Sequence, residues 1–365
     1  MTTKVLDNFS LNVNNYNYVN WSHMYIKKSM LEIAGEFAFE TFDYTEGDFE
    51  KWKIKMGAEA KAVIGNTTIC DGYIDKIPIK YGEGDFSLQF VGRDKTADLV
   101  DCPYTGSNNE FKKQTVVAII KKLCTPFSIE VTVEDSAKNT VLTTIETFKA
   151  SEGVSVADLI IDLCRDIGVI PISLGDGKLT LTKATETGKT NDPIQYNVNA
   201  SSGSYLQSDR DRFSNYTAKG YGIGTDEKSL SDYINCSFTF NDAVVSRNRP
   251  NIIFMDREAD TGRCKSRARW EARLRAGLSR LIQYKIPSWT QSNGDIWGIN
   301  KLVKVEDKLL DVNETLLIIE AKYLYDTGEN ENDKYQETST ILTLADKDIF
   351  SGEAGDIKIK TRFDS

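Results

Sequence analysis

Histidine is almost absent: the 365 residues contain one, His23, beside 54 acidic and 45 basic residues. Catalytic triads that relay a proton through imidazole are thereby nearly excluded, and zinc sites lose their commonest ligand. The six cysteines, Cys70, Cys102, Cys124, Cys164, Cys236 and Cys264, include no CxxC pair and are too sparse for a disulfide scaffold in a chain this long. Reduced core thiols are expected. No apolar run approaches the roughly 18 residues of a membrane span, and the start, MTTKVLDNFSLNVNNYNYVNW, has neither a basic n-region nor an apolar h-region. A soluble, unexported chain follows as the expectation, with no membrane insertion, no metal and no cofactor.

What is present is period-two alternation. YVNWSHMYIKKSM, with His23 on a half-exposed strand, and GEFAFETFDY read as long strands, followed by KWKIKMG, AKAVIG, TTICDGYIDKIPIKY and DFSLQFVGR, each bounded by glycine or polar turn residues. Residues 1–102 are therefore expected to form an antiparallel β domain. From Phe111 the period lengthens. KKQTVVAIIKKLC places Val116, Val117, Ile120 and Leu123 on one helical face, and SEGVSVADLIIDLCRDIGV offers Ser155 as a cap with Asp158 three residues on. With the strands of PFSIEVTVE and GDGKLTLTKA, residues 103–190 read as a small α+β domain.

A second β section, 191–345, opens at SYLQSDRDRFSNYTAKGYG and contains an arginine-rich helix expected over 258–278. Helix should yield to strand near Leu278, where Arg280, Ile282, Tyr284 and Ile286 begin to alternate. Asn293-Gly294 marks a tight turn, NKLVKVEDKLL, TLLIIEAKYLYD and YQETSTILTLA supply further strands, and TGENENDK reads as an acidic hairpin loop between the last two. A charged tail, 346–365, closes the chain. The fold class expected is mainly β with an α+β insert and several domains.

Three motifs carry little chemistry. TETGKT ends like a phosphate-binding loop but has Lys183 where the first glycine belongs. GYGIGT has Thr225 in the third glycine position of a dinucleotide fingerprint and continues a strand, so a turn or bend fits it better. The pair Asp98 and Asp101 has glycosidase-like residue types, yet among 54 acidic residues some pair always does.

The arginine helix, RARWEARLRAGLSRL, is the unusual segment. Trp270, Leu274 and Gly277 share one face, Ala268, Ala272 and Ala276 line a second, and Arg269, Arg273 and Arg280 project to a third, so two faces can pack at once. Glu271 stands four residues before Arg275, the spacing of an intrahelical ion pair. Solvated arginines, arginines docked on acidic neighbours or another chain, and a nucleic-acid grip all stay open. Against the last, the formal net charge is -9, and a nucleic-acid helix normally belongs to a basic domain with exposed aromatics.

The ordered set DGYIDK, VGRDKTADLVDC, DRFSNYTAKGYG, RPNIIF, the arginine helix, SWTQSNGDIWGINKLVKV and ETLLIIEAKY resembles the central baseplate hub proteins of Mu-like contractile phages, related in fold to the T-even hub, over nearly the whole chain. The resemblance implies a homotrimeric ring whose subunits each carry two tube-like antiparallel β-barrel domains plus smaller accessory domains. Six similar barrels would then join a threefold central spike to a sixfold tail tube or tube-initiator protein, with the tape measure protein as a further partner. The ring would sit in the virion baseplate after assembly in the host cytoplasm, work as a structural protein rather than an enzyme, and pass DNA through its lumen without specific binding. Arg269, Arg273, Arg280, Trp289 and Trp297 are the residues expected at the assembly interface. Two rivals remain: a tail-associated cell-wall-degrading enzyme, which needs a carboxyl of raised pKa facing a second carboxylate in a pocket, and a carbohydrate- or receptor-binding module, which needs clustered exposed aromatics.

Overall fold

Alternation of buried and half-exposed side chains along the strands, as in Met24, Ile26, Phe37 and Phe39, sets the architecture of the computed structural model, which describes residues 8–42, 54–83, 85–184, 188–222, 234–255, 259–330 and 333–351. Thr225, residues 185–187 of TETGKT, 331–332 of the acidic loop, 51–53 of KWKIKMG, residue 258 and the tail from 352 onward lie outside the described residues. The N-terminal strands are β1 (Phe9–Val13), β2 (Tyr16–Tyr18), β3 (His23–Ser29), β4 (Glu36–Thr41), β5 (Glu59–Ile64), β6 (Thr67–Lys76), β7 (Ile79–Gly82) and β8 (Asp85–Asp94). Residues 54–57, expected in a strand, form no strand and lead into a turn at Gly57, whose φ of +76° suits glycine.

Next come α1 (Ala97–Asp101), β9 (Glu110–Thr115), α2 (Val116–Cys124), β10 (Val131–Val133), β11 (Thr144–Lys149), α3 (Val156–Arg165), β12 (Ile170–Ile172) and β13 (Leu179–Thr182). Ser155 caps α3, its Oγ accepting from the Asp158 amide at 3.1 Å and donating to the Asp158 carboxylate at 2.8 Å. On α2 the buried face is Val116, Ile119, Ile120, Leu123 and Cys124; Val117, expected inside, is only partly covered. These elements enclose their own apolar core, which includes Leu99, Phe111, Phe148, Ile160 and Leu163.

The C-terminal part contains β14 (Ile194–Gln195), β15 (Ser202–Gln207), β16 (Asn215–Gly222), β17 (Ile234–Asn241), β18 (Pro250–Phe254), α4 (Thr261–Leu278), β19 (Arg280–Ile286), β20 (Leu302–Asp307), β21 (Val312–Asn330) and β22 (Asp333–Ala345). Most strands of both β sections belong to one 14-stranded sheet, ordered β15-β19-β22-β21-β3-β4-β8-β6-β5-β1-β2. The junction is the antiparallel pairing of β3 with β21, from Ser29 opposite Glu320 to His23 opposite Asp326. The sheet rolls over a shared core, so that Phe9 of β1 meets Phe39 of β4 at 6.3 Å and Tyr325 of β21 at 4.5 Å. Two expected tube-like sections are thus continuous through their hydrogen bonds, and among the described residues neither closes by strand pairing into a separate barrel.

Within the span 191–345, β17, β16 and β18 form a separate three-stranded sheet whose inner face packs Tyr216, Ala218, Cys236 and Ile253 against Cys264, Ala268 and Ala272 of α4. The expectation of a single β section interrupted only by a helix is corrected accordingly. Alternation reports that a segment is a strand but not which sheet receives it.

Candidate functional site

The arginine helix begins after Asp260, whose side chain accepts from the Arg263 amide at 2.7 Å, and ends at Leu278, with only Ser279 between it and the start of β19 at Arg280. Its small-residue strip is the more deeply buried face. Cys264, Ala268 and Ala272 allow close approach to the small sheet, Ala276 is buried one turn on, and Trp270, Leu274 and Leu278 are partly buried against the main core. Gly277 admits the chain's return: a Cβ there would fall 2.3 Å from Ile349. The helix is therefore a wedge between two cores.

Its arginines are largely committed to their own chain. Arg267 and Arg275 each donate to Glu271 at 2.7 Å, confirming the Glu271–Arg275 spacing argument and adding a second partner. Burial pushes the Glu271 carboxyl up, but the two guanidinium groups outweigh it and hold it below its ordinary value. Arg275 also lies 5.2 Å from the Phe213 ring centroid, and Arg249 stacks on the same ring at 5.2 Å. Toward the α+β domain, Arg263 reaches Asp166 at 2.6 Å, and Arg165 and Arg267 approach the Trp270 ring at 5.5 and 5.4 Å.

Of the five residues expected at an assembly interface, three are occupied internally. Trp289 and Trp297 are 0% and 1% exposed in the main core; the Trp289 indole donates to the Leu324 carbonyl at 2.9 Å, and Tyr323 donates to the Trp297 carbonyl. The Trp289 indole and the Trp297 backbone carbonyl thus tie the segment after β19 to β21, and both rings lie in the core rather than on the surface of the chain. Arg280 is 9% exposed, donates to Glu314 and lies 6.0 Å from the Tyr205 ring. Arg269 and Arg273 are half-buried on the helix, Arg269 over Phe238 at 5.7 Å.

Sequence reasoning missed a buried ion pair next to this helix. Arg212, with no exposed side-chain surface, grips Asp242 through two bonds of 2.7 and 3.1 Å, and its third nitrogen lies 3.4 Å from Ser279 at the end of α4. Nothing in DRDRF marks Arg212 apart from its neighbours, because its partner lies 30 residues on.

A second missed site explains the segments DGYIDK and VGRDKTADLVDC. Gly72 and Gly92 let β6 and β8 cross closely, since a Cβ would fall 1.8 Å from the Arg93 carbonyl at one and 2.1 Å from that of Tyr73 at the other. Buried Asp94 accepts from the Gly35 amide at 2.7 Å and the Thr96 amide at 2.9 Å, while Arg93 spans Asp75 and Asp101 at 2.7 and 2.6 Å. Lys28 crosses to the Leu174 carbonyl at 2.8 Å. Together these contacts form the joint between the first β section and the α+β domain.

Asp101, singled out with Asp98, is held below the ordinary carboxylate range by its hydrogen bond to Arg93, whereas Asp98 is pushed up by burial and then by Asp101 and Asp75. Neither lines the 370 Å³ cleft at the β3–β21 junction or the 600 Å³ groove beside Tyr196 and Leu309. Among the described residues no three His, Cys, Asp or Glu side chains converge as a metal shell, and no helix is long and apolar enough to cross a membrane.

Family models match three successive parts of the chain: the N-terminal domain of Mu phage baseplate assembly protein GpP-like proteins at residues 8–94, the second domain of baseplate hub protein gp44-like proteins at 96–183, and the fourth domain of Mu phage baseplate assembly protein GpP at 260–353. Baseplate hub protein gp44 of Escherichia phage Mu is 28% identical over 306 residues, covering 83% of this chain and 79% of that protein. Among solved structures, the 43 kDa tail protein of prophage MuSo2 from Shewanella oneidensis superposes with a TM-score of 0.78 at 26% identity, covering 94% of this chain and 99% of the other. An E. coli type VI secretion component, described as structurally similar to the T4 tail proteins gp27 and gp5, shares the fold at a TM-score of 0.51 and 9% identity, over 92% of this chain and 76% of its own.

Proposed function

This chain is a baseplate hub protein of the Mu-like phage family, and from that premise we propose that three copies close into a ring joining the threefold central spike to the sixfold tail tube. The observation that carries the reading is the continuous sheet with open edges. β2 and β15 end the long sheet, β7 pairs only with β8 and β18 only with β16 among the described residues, and exposed Tyr81, Leu206 and Phe254 stand on three of these strands. Unpaired edges beside exposed apolar residues are stable when another strand or subunit covers them, and a closed ring covers them on every copy.

The spike, the tube or its initiator and the tape measure protein are the partners of such a ring, which assembles in the host cytoplasm and remains in the virion. Its role is mechanical rather than enzymatic. Commitment of Arg263, Arg267, Arg275 and Arg280 to internal carboxylates supports a wall that lets DNA slide, since few of these cations remain to neutralise phosphates. Sedimentation equilibrium of the purified chain and of tail particles tests the ring: trimer is expected, and monomer alone across micromolar concentrations with no trimer in tails overturns it. In salt-titrated fluorescence anisotropy the trimer should show no specific binding to duplex or single-stranded DNA at physiological salt. Cleavage of purified peptidoglycan would instead favour a cell-wall-degrading enzyme.

A further inference from the structure

We propose that Cys236 and Cys264 are a modification site: a dithiol that closes to a disulfide and staples the first turns of α4 to β17. Their sulfur atoms stand 3.1 Å apart, on two elements 28 residues distant in sequence, with both side chains buried. A disulfide requires about 2.05 Å, so the sulfurs need close by only about 1 Å, within reach of rotation about the two side-chain bonds. The site is arranged around this contact. The Cys236 thiol lies 2.9 Å from the Ala259 carbonyl, and Gly220, opposite Cys236 on β16, has no Cβ where one would meet Ala259 at 2.9 Å and the Cys236 sulfur at 3.1 Å.

The oxidant is a small-molecule disulfide, RSSR. One cysteine thiolate attacks an RSSR sulfur, forming a protein–S–S–R bond and releasing RS⁻, which takes up a proton. The neighbouring thiol, deprotonated in turn, attacks the protein-side sulfur and displaces the second RS⁻. Two protein thiols lose two electrons and two protons, and RSSR becomes two RSH. Burial, followed by the hydrogen bond to Cys236, pushes the Cys264 thiol up to about 12, so Cys264 is protonated at rest and reacts slowly. Thiol pairs stay reduced in a cytosol and oxidise on exposed virions. The timing, closure after particle release, rests on the hub reading; the bond chemistry does not.

The purified full-length chain is incubated with oxidised glutathione, denatured, alkylated and mapped by mass spectrometry. The expected product is lighter by two hydrogens, carries one Cys236–Cys264 linkage and leaves Cys70, Cys102, Cys124 and Cys164 alkylated. Its rate of formation should rise with pH as thiolate increases. The oxidised chain should melt several degrees higher, because the link restricts the unfolded chain, and a reductant should reverse the gain. Cys264→Ala and Cys236→Ser should each abolish the oxidant-induced shift, whichever of them folds better. No linkage in the wild type, or only glutathione adducts at half-buried Cys102, overturns the proposal. A link formed in the pure chain but absent from released, aerated particles overturns the timing while the trimer measurement stands independently.

Discussion

The two halves of the long sheet and the two sides of α4 are joined by different physics. At the β3–β21 junction, backbone hydrogen bonds run unbroken from one section into the other, with Ile26, Tyr323 and Tyr325 in a shared apolar core. Around α4, apolar packing is supplemented by guanidinium groups on carboxylates and rings: Glu271 between Arg267 and Arg275, Phe213 between Arg275 and Arg249, Arg263 on Asp166. Backbone pairing resists sliding because a one-residue slip turns a strand's apolar side chains outward. Charge and ring contacts tolerate small displacements and respond to pH. The long sheet thus supplies a stiff frame, and the arginine helix an adjustable wedge that ties the small sheet and the α+β domain to it.

Substitutions in the frame should cost the most. Trp289→Ala should cost about 3–5 kcal/mol in urea unfolding, because it empties a fully buried ring site and leaves the Leu324 carbonyl without its donor. Trp270→Ala should cost clearly less, since that ring is only half-buried against the main core and is flanked by Arg165 and Arg267. Equal losses would show that the wedge is as rigid as the frame.

Arg212→Met comes next, at the lower end of about 3–5 kcal/mol, because it leaves Asp242 buried with its charge uncompensated. Adding Asp242→Leu should recover much of the loss by removing the orphaned charge. A double variant as unstable as the single one in the same unfolding assay would mean that shape at this site matters more than charge.

How much of this was legible follows from how local each signal is. The switch from helix to strand at Leu278, the Ser155 cap and the Glu271–Arg275 pair involve residues a few positions apart, and pattern reading found them. Trp289 and Trp297 were expected at an assembly interface, whereas in the folded chain both rings lie in the main core, and their contacts to β21, the Trp289 indole on Leu324 and the Trp297 carbonyl on Tyr323, join segments that alternation cannot pair. The same limit hid Arg212–Asp242 and the assignment of β16, β17 and β18 to their own sheet. In DGYIDK and VGRDK the glycines were visible, yet their reason, the close crossing of β6 and β8, exists only once those strands are paired.

Glu271→Gln should cost about 2 kcal/mol at neutral pH, the scale of hydrogen bonds to charged groups. Its pH dependence is the sharper readout. Because Glu271 has a folded-state pKa below its unfolded value, its contribution is present above the unfolded value, about 4.3, and is lost as pH falls through the folded one. The wild type should lose stability relative to the variant on acidification across that window in denaturant titrations at stepped pH. Parallel curves would show that the two arginines do not depress this carboxyl.

The smallest effect on folding is expected where the largest effect on assembly is proposed. Arg269 and Arg273 are half-buried at the helix surface, and Arg269 gains a ring contact with Phe238 at 5.7 Å. A cation over a partly exposed ring contributes about 0.5–1 kcal/mol, so Arg269→Glu with Arg273→Glu should shift the unfolding midpoint little. The same two charges, if they meet carboxylates on a neighbouring subunit, reverse from attraction to repulsion in every contact of the ring. Sedimentation should therefore show the double variant folded but dissociated at concentrations where the wild type is trimeric, with low salt worsening the defect because repulsion is then less screened. A double variant that assembles as the wild type does, at every salt concentration, would leave these arginines facing solvent, and the ring contacts would have to be sought at the open edges of β7, β15 and β18.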